Sequence, residues 1–353
     1  MNVSRRNNFD FLRLMAALMV IHGHGWNMTG GVGPGLWGVP FARVGLDVFF
    51  SISGYLVTGS WERTPRLGPF LAKRALRIFP GLAACVLATV VIVGPLTTTL
   101  PIAEYLQRNE TWRYLLNIAL RLQLFLPGVF VDLPEPRAVN GSLWSLAPEF
   151  MCYLTVPLIA VAAWRRPIAR CWALASLAVA IGGIGLYMFE GAGAPDPSIY
   201  GIALKYALVE VPFFFVGGAL ALLAPRVAGL WRADLCLLFF ALNYVISSWF
   251  DWWNLPFEWL TLPYMVICFG RMSLPMVRDA GRFGDISYGM YLYAFPMQQL
   301  ILTLWPGLAF PVLTCVVLTA CVAYLSWHMV EYPAMRGLRR ARATAPFMPA
   351  TPK

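Results

Sequence analysis

The apolar residues of the chain gather into ten long runs, separated by short polar or basic segments. About 20 apolar residues is the length that an α-helix needs to cross the hydrocarbon core of a bilayer. The pattern therefore predicts an all-α polytopic membrane protein with about ten transmembrane helices. The predicted spans are 11–27, 44–62, 78–100, 144–164, 168–189, 199–223, 231–250, 252–270, 286–305 and 308–330.

The distribution of basic residues orients these spans. If the amino terminus is cytoplasmic, twenty of the 27 Lys and Arg residues fall in the inner segments and five in the outer ones. Because cytoplasmic loops carry the excess of Lys and Arg, we expect both termini on the cytoplasmic side. The boundary with the weakest support is Asp251, which alone separates the seventh and eighth runs, so one of them could be shorter or re-entrant.

Two further segments lie outside the spans. The long outer segment 101–143 contains an amphipathic stretch from Ala103 to Leu126, which we expect to lie along the membrane surface as a lid, and a proline-rich turn at 133–136. Residues 1–336 are predicted to form a single transmembrane domain. Residues 337–353 are basic and rich in Ala and Pro, and we expect a disordered cytoplasmic tail.

Composition agrees with a membrane protein. Of 353 residues, 59% are hydrophobic and 12% are charged, whereas about a quarter are charged in soluble globular proteins. The net charge of +10 would suggest a nucleic-acid partner in a soluble protein, but basic cytoplasmic loops account for it here, so we expect lipid and no nucleic acid around the chain. All seven cysteines fall in apolar runs without a CxxC pair, so neither disulfides nor a metal site is expected.

Ionisable residues inside the predicted spans are costly in a bilayer, and they mark functional sites or partners of such sites. In the first span, eleven steps of about 100° lead from Arg13 to His24, within about 20° of three full turns. Both side chains therefore share one helix face, roughly 16 Å apart along the axis, while His22 points to the opposite face. This geometry favours His24 over His22 as the partner of Arg13, although a lone histidine can also be a hydrogen-bonded structural residue.

Two carboxylates are predicted at the depth of His24. Asp47 lies in the outer half of the second span and Glu149 in the outer half of the fourth. Either could hold the imidazole in one tautomer and stabilise its protonated form, as a general base requires. The alternative is that each is structural, Asp47 as a helix cap. Lys205 and Glu210 are about 140° apart around the sixth span and are assigned no role.

A basic cluster precedes the third apolar run. Lys73, Arg74 and Arg77 can be a positive-inside anchor, which is the simpler interpretation for Lys73. The functional interpretation is a phosphate-binding cluster that faces the cytoplasm. Together with Arg13, the cluster would bind an anionic donor below His24.

Six motifs follow one another in the order and spacing of a known family. They resemble the acyltransferase-3 family of integral membrane acyltransferases from about residue 7 to 336. The motifs are Phe-Asp-Phe-Leu-Arg at 9–13 followed by His24, Gly-Leu-Asp-Val-Phe-Phe-Ser-Ile-Ser-Gly-Tyr at 45–55, Arg-Ala-Leu-Arg-Ile-Phe-Pro at 74–80, Gly-Ser-Leu-Trp-Ser-Leu-Ala-Pro-Glu at 141–149, Ser-Tyr-Gly-Met-Tyr-Leu-Tyr at 287–293 and Glu-Tyr-Pro at 331–333.

The resemblance implies a cytoplasmic acyl-coenzyme A donor, usually acetyl-coenzyme A, and O-acylation of a glycan or glycoside such as an O-antigen, an exopolysaccharide, a nodulation factor or a macrolide sugar. It implies a bacterial inner-membrane location and polysaccharide-assembly proteins as partners. The family's Arg-x10-His pair maps onto Arg13 and His24. Many members carry two adjacent acids in the fourth motif, whereas Ala147 and Pro148 precede a single Glu149 here.

The residues and the resemblance together give a mechanistic hypothesis. Coenzyme A phosphates bind Arg13, Arg74 and Arg77, and His24, supported by Asp47 or Glu149, takes the proton of the acceptor hydroxyl. An acyl-enzyme on His24 or on a serine fits equally well. The alternative function is a proton-coupled transporter of a lipid- or sugar-linked substrate. The candidate substrate-binding and oxyanion-stabilising residues are Ser53, Ser142, Trp144 and Tyr291.

Overall fold

A computed structural model describes residues 7–31, 33–133, 138–163, 166–190, 196–227, 229–249 and 254–337. Within these ranges, a long helix lies at each predicted apolar run, so the prediction of an all-α membrane protein is confirmed. The predicted turn at 134–136 and the tail from 338 onwards lie outside the described residues. The long helices are α1 Phe9–Met28, α2 Phe41–Arg63, α3 Leu67–Ala88, α4 Leu146–Ala162, α5 Pro167–Glu190, α6 Leu204–Leu223, α7 Ala233–Trp249, α8 Asn254–Arg271, α9 Ser287–Leu304 and α10 Pro311–Ser326.

Six helical segments in the described part of the chain are long and apolar enough to cross a membrane. The first helix falls outside this group because Asp10, Arg13 and two histidines interrupt its apolar sequence, and α7 because it is short. The chain is therefore an integral membrane protein, while ten crossings and two cytoplasmic termini stay predictions. The six segments are Phe41–Arg63, Leu67–Thr97, Gly141–Ala162, Pro167–Phe189, Leu204–Leu223 and Pro311–Gly337.

Helix α2 lies in the centre of the bundle and packs against α1 and α6. Two glycines allow the close approach to α6. A Cβ atom on Gly54 would lie 1.9 Å from the carbonyl oxygen of Phe214, and one on Gly217 would lie 2.3 Å from that of Ser51. Small residues at helix interfaces permit such backbone contact in membrane bundles. The backbones of α2 and α6 are therefore in direct contact at these two glycines.

The segment that follows α3 forms a compact cap, residues 98–133, and the predicted amphipathic stretch is divided there into several short helices. It contains short helices at Ile102–Gln107 and Asn109–Arg113 and a 3-10 helix at Tyr114–Ala119. Tyr105 is fully buried, and its hydroxyl donates to the carbonyl of Val90 at 2.9 Å. This carbonyl lies in the π-helical turn that extends α3. Buried tyrosines thus attach the cap to the helix bundle.

The bundle has two different ends. The amino-terminal parts of α1 and α3 and the segment before α9 meet at one end, where Arg77 and Asp285 are in contact; we call it the basic end. The cap lies at the other end of the bundle. The chain enters the cap after α3, which extends about 30 Å along its own axis away from the basic end. There, the Leu122 amide donates to the carbonyl of Tyr200, in the turn between the short strands Ser198–Ile199 and Ile202–Ala203.

Candidate active site

A cavity of about 810 Å³ enters the bundle from the basic end. Its mouth lies beside exposed Arg336 and is lined by Arg13, Lys73, Arg74 and Arg77. These side chains come from α1, α3 and the segment after α10, so three regions of sequence combine their positive charge. An anionic ligand would therefore be attracted to this mouth.

Asp285 organises two of the arginines. Its carboxylate binds Arg77 at 2.6 Å and Arg13 at 3.5 Å, and Arg13 also contacts Asp10 at 3.1 Å. Burial opposes ionisation of Asp285, but the two guanidinium groups and the Ser287 hydroxyl hold the pKa of this carboxyl below its usual range. The contact fixes the arginine head groups side by side.

The third arginine of the mouth, Arg74, makes fewer hydrogen bonds and ion pairs than Arg13 and Arg77. Arg74 has a buried Nε that finds no hydrogen-bond partner among the described residues. The guanidinium faces inward, where it interacts electrostatically with Tyr153 and Glu149. Arg74 therefore offers unused hydrogen-bond donors between the mouth and the deeper part of the cavity.

A carboxylate and two hydroxyls meet in the middle of the cavity wall. The Ser53 hydroxyl of α2 donates to Glu149 Oε1 at 2.5 Å, and the Tyr153 hydroxyl donates to the same oxygen at 2.6 Å. Glu149 lies in the first turn of α4 and Tyr153 one turn later, so both face α2. All three residues line the cavity, which leaves Glu149 Oε2 available to a ligand.

Phe49, Ser145 and Tyr291 line the inner end of the cavity. The Tyr291 hydroxyl donates to the Ser142 carbonyl at 2.6 Å and lies 2.6 Å from the Ser145 hydroxyl, which is placed to donate to it. The Phe49 ring meets the Tyr291 ring edge to face, with 5.7 Å between centroids. This wall separates the cavity from the helix turns nearer the cap.

His24 lies beyond that wall. Its ring packs edge to face on Phe295, one turn after Tyr291 on α9, with 5.2 Å between centroids. The Arg13 contact with Asp285 and the His24 contact with Phe295 confirm that both side chains point towards α9. His22 points elsewhere, since it accepts a hydrogen bond from Trp26 at 3.1 Å. His24 is not in the cavity lining.

Neither predicted supporting carboxylate contacts His24 in the described structure. Glu149 is engaged with Ser53 and Tyr153, and Asp47 points away from α1 towards α6. There, it lies against Glu210, whose Oε1 is 3.3 Å from Arg43 Nε. The predicted support of His24 by Asp47 or Glu149 does not appear as a contact among the described residues, because helix depth alone does not specify which face of α2 meets α1.

The four predicted substrate-binding residues separate into two groups. Ser53 and Tyr291 line the cavity. Trp144 packs on Tyr206 outside the cavity, with 6.3 Å between ring centroids. Ser142 is 1% exposed, and its hydroxyl has no partner among the described residues. Its neighbour Gly141 packs against Phe295, which is also the ring that contacts His24.

Several residues of the site carry little signal in the sequence and were not predicted. In the sequence, Asp285 is the one acid between Arg282 and the Ser-Tyr-Gly motif at 287–289, and that position was the available signal. Tyr288 and Trp327, whose rings flank the Arg77 guanidinium at 5.6 and 5.8 Å, are indistinguishable in sequence from apolar helix residues. Ser145 lies within the motif at 141–149 and Tyr153 within the apolar run 144–164, and neither position has a sequence feature that marks it as part of a site.

Comparisons with known proteins identify the family to which the chain is similar. A family model described as an acyltransferase domain, acyltransferase-3, matches residues 6–328. The chain is 29% identical over 337 residues to an O-acetyl transferase of Shigella phage Sf6, covering 93% of this chain and 95% of the phage protein. It is 32% identical over 359 aligned positions to nodulation protein 10 of Rhizobium leguminosarum bv. viciae, covering 94% of each.

A shorter similarity, 29% over 133 residues, links 36% of the chain to 31% of the acyltransferase MdmB of Streptomyces mycarofaciens. No solved structure matches the chain. The family match spans nearly the whole helix bundle and all of the cavity lining except the residues after 328. The chain therefore belongs to the acyltransferase-3 family and is a membrane acyltransferase.

Proposed function

We propose that this acyltransferase moves an acetyl group from cytoplasmic acetyl-coenzyme A to a hydroxyl of a glycan or glycoside on the other side of a bacterial inner membrane. The observation that carries the proposal is the cavity that joins a basic mouth to Glu149 and Ser53. The name of the phage relative, an O-acetyl transferase, favours acetyl and an oxygen acceptor.

The donor phosphates bind at the mouth. Arg74 supplies free N–H donors, and Asp285 holds Arg13 and Arg77 in place beside it. Guanidinium groups suit phosphates because two N–H groups can bind two oxygens at once. The donor would thus enter with its charged part at the basic end and its uncharged arm pointing inward.

The arm of the donor extends along the cavity towards the cap end. Glu149 Oε2 is placed to accept a hydrogen bond from an amide N–H of that arm, since Oε1 already accepts from Ser53 and Tyr153. A fixed acceptor in a low-dielectric wall orients a flexible chain and lowers the entropy cost of reaction. Glu149 then positions the donor and does not act on His24.

His24 is the proposed general base. It takes the proton of the acceptor hydroxyl, whose oxygen attacks the thioester carbonyl; the C–S bond breaks, and the sulfur leaves as a thiolate that gains a proton to become coenzyme A. The buried Ser142 hydroxyl is a candidate donor to the oxyanion. Because Phe49 and Tyr291 lie between the cavity and His24, their rings must move for the acyl carbon to reach it.

Mass spectrometry of envelope glycans and secreted glycosides tests this function. A deletion strain would be complemented with the wild type, with His24→Ala or with His22→Ala, which is the matched control on the opposite face of α1. We expect an acetyl-sized mass to disappear in the deletion and His24→Ala strains and to persist with His22→Ala. Unchanged masses in every strain, at normal protein level, would contradict the proposal and favour the transporter.

A further inference from the structure

A second group of ionisable side chains lies inside the helix bundle and outside the cavity lining. It consists of Arg43 and Asp47 of α2, Glu210 of α6 and Glu258 of α8. The three acids are 1%, 3% and 2% exposed. Charged groups at such depth are costly in a membrane protein unless they are paired or bind something.

The contacts in this group leave carboxylate oxygens without donors. Arg43 Nε is 3.3 Å from Glu210 Oε1. Neither oxygen of Asp47, nor Glu210 Oε2, receives a hydrogen bond from an N–H or O–H group in the described structure. A buried polar atom without a partner costs free energy, so three such oxygens in one place call for a ligand.

Asp47 and Glu210 nevertheless lie in side-chain contact with each other. Two ionised carboxylates have no hydrogen between them and repel, so this contact is a hydrogen bond only when one of them carries a proton. One shared proton supplies the missing donor. It also leaves one negative charge on the pair, which matches the one positive charge of Arg43.

We propose that Asp47 and Glu210 bind one proton between them and form a carboxyl–carboxylate pair that is neutralised by Arg43. The charged groups that act on Asp47 are Glu210, Arg43 and Glu258. Glu258 adds negative charge to the surroundings, which makes loss of the proton still more costly.

The proton site lies behind the wall of the donor cavity. Leu46 and Phe49, which flank Asp47 on α2, line the cavity. Glu210 is close enough to interact electrostatically with Tyr291 at the inner end. The protonated pair therefore joins α2 to α6 next to the site, and its existence does not depend on which acyl donor or acceptor the enzyme uses.

Infrared spectroscopy of the purified full-length protein tests the shared proton. A protonated carboxyl group gives a C=O band that ionised carboxylates lack. We expect Asp47→Asn and Glu210→Gln each to remove the same band from the wild-type spectrum, because the remaining carboxylate then ionises beside Arg43. Asp196→Asn, which changes an acid paired with Lys205 near the cap end, is the control and should leave the band unchanged.

Two infrared results would overturn the proposal. The first is a wild-type spectrum without a band that either variant removes. The second is a band that survives in either of the two variants, because the proton would then belong to a single residue. A band that survives in both and is lost with Glu258→Gln would assign the proton to Glu258.

Thermal unfolding in detergent gives an independent readout. Each single amide variant keeps one negative charge opposite Arg43, so we expect a small change in unfolding temperature at neutral pH. The double variant removes both carboxylates of the pair from beside the buried Arg43 and should unfold at a clearly lower temperature, and adding Arg43→Gln should restore stability. Additive single effects, or no rescue by Arg43→Gln, would count against the shared proton.

The pH dependence has a defined sign. The unfolded chain loses both carboxyl protons near pH 4, while the folded pair keeps one. The wild type should therefore become less stable as the pH rises from about 5 into the alkaline range, until the shared proton is lost, and Asp47→Asn should lose this pH dependence. A wild type whose unfolding temperature depends on sodium or potassium concentration, and not on alkaline pH, would show that a metal cation and not a proton occupies the site.

Discussion

At the mouth of the cavity, the arginine side chains differ in whether a carboxylate already neutralises their charge. Asp285 neutralises much of the charge of Arg13 and Arg77, while Arg74 has no carboxylate within ion-pair distance among the described residues. A ligand phosphate competes with Asp285 for the first two and meets no competitor at Arg74. Arg74 should therefore contribute to donor binding without contributing much to folding.

Replacement of Arg74 by Ala should separate these two effects. A charge-assisted hydrogen bond is worth about 1.5–3 kcal/mol, so the Kd for coenzyme A should rise about ten- to a hundredfold, with little change in unfolding temperature. Calorimetric titration of the detergent-purified protein measures the Kd. Arg108→Ala, on the exposed surface of the cap, should bind coenzyme A like the wild type; equal losses in the two variants would refute a specific role.

Asp285 should affect stability in a pH-dependent way. Asp285→Asn leaves the Arg77 charge without its partner, at a cost of about 3 kcal/mol, the lower end for buried pairs because both side chains keep some exposure. The pKa of Asp285 is lowered in the folded protein, so the ion pair stabilises fully above about pH 4, the ordinary value, and is lost as the pH falls through the lowered pKa.

Thermal unfolding of wild type and Asp285→Asn from pH 7 to pH 3 checks this. The difference between them should be constant from pH 7 to about pH 5 and should narrow in acid. Ser287→Ala, which removes one hydrogen bond to Asp285 at 2.6 Å and no charge, should cost less throughout. A difference that widens in acid would exclude the ion pair as its source.

The orientation of a side chain was predictable from the sequence where it depended only on the period of a single helix. The common face of Arg13 and His24 follows from eleven steps along one helix, and the structure confirms it. The partner of Asp47 was not predictable, because Glu210 is 163 positions away and belongs to a helix whose rotation is decided by packing. Asp285 was missed because a loop acid has no periodicity to interpret.

Among the helices, α2 carries three functions on two faces. Ser53 and Phe49 line the cavity, Asp47 faces α6, and Gly54 lets the α6 backbone come close. These faces are coupled because α2 is a rigid helix. A change in its spacing from α6 should therefore be felt at the hydrogen bond between Ser53 and Glu149.

Gly54→Ala tests this coupling. The new Cβ would lie 1.9 Å from the Phe214 carbonyl oxygen, so the helices must separate, at an expected cost of about 1–3 kcal/mol for overpacking. We expect a lower unfolding temperature and reduced acyl transfer in the same variant. Gly59→Ala, on the same helix with only the flexible Arg63 side chain at 3.5 Å, is the control and should be neutral or slightly stabilising. Equal behaviour of both variants would refute close packing as the cause.

The cap shows where a periodicity argument fails. Leu115, Leu116 and Ile118 fit an amphipathic helix, but the segment divides into short helices with a left-handed residue at Leu120. Tyr105 and Tyr114, both fully buried, supply the apolar contacts that a membrane surface was expected to supply. The sequence indicated a segment between the third and fourth apolar runs, while its fold depended on long-range contacts with α3.

For the whole molecule, the central requirement is that the two substrates reach one point from opposite ends. The cavity mouth with its arginines is at the basic end, and His24 lies past Tyr291 towards the cap. If the positive-inside distribution sets the topology, the basic end is cytoplasmic, where acyl-coenzyme A is available, and the cap faces the acceptor. The fold then places His24 on the acceptor side of the wall formed by Phe49 and Tyr291.

Cysteine labelling in intact cells tests that orientation. Single cysteines at Arg108 of the cap and at Arg282 of the basic end would be introduced into a chain whose native cysteines are replaced by Ser or Ala, after transfer activity has been verified. A membrane-impermeant maleimide should label position 108 in intact cells and position 282 only after the membrane is opened. The reverse pattern would place the donor mouth away from cytoplasmic coenzyme A and would remove the basis for Arg74 as a phosphate ligand. Labelling of both positions in intact cells would place both on the outer side, with an even number of crossings between them, which contradicts a bundle whose basic end and cap lie on opposite sides of the membrane.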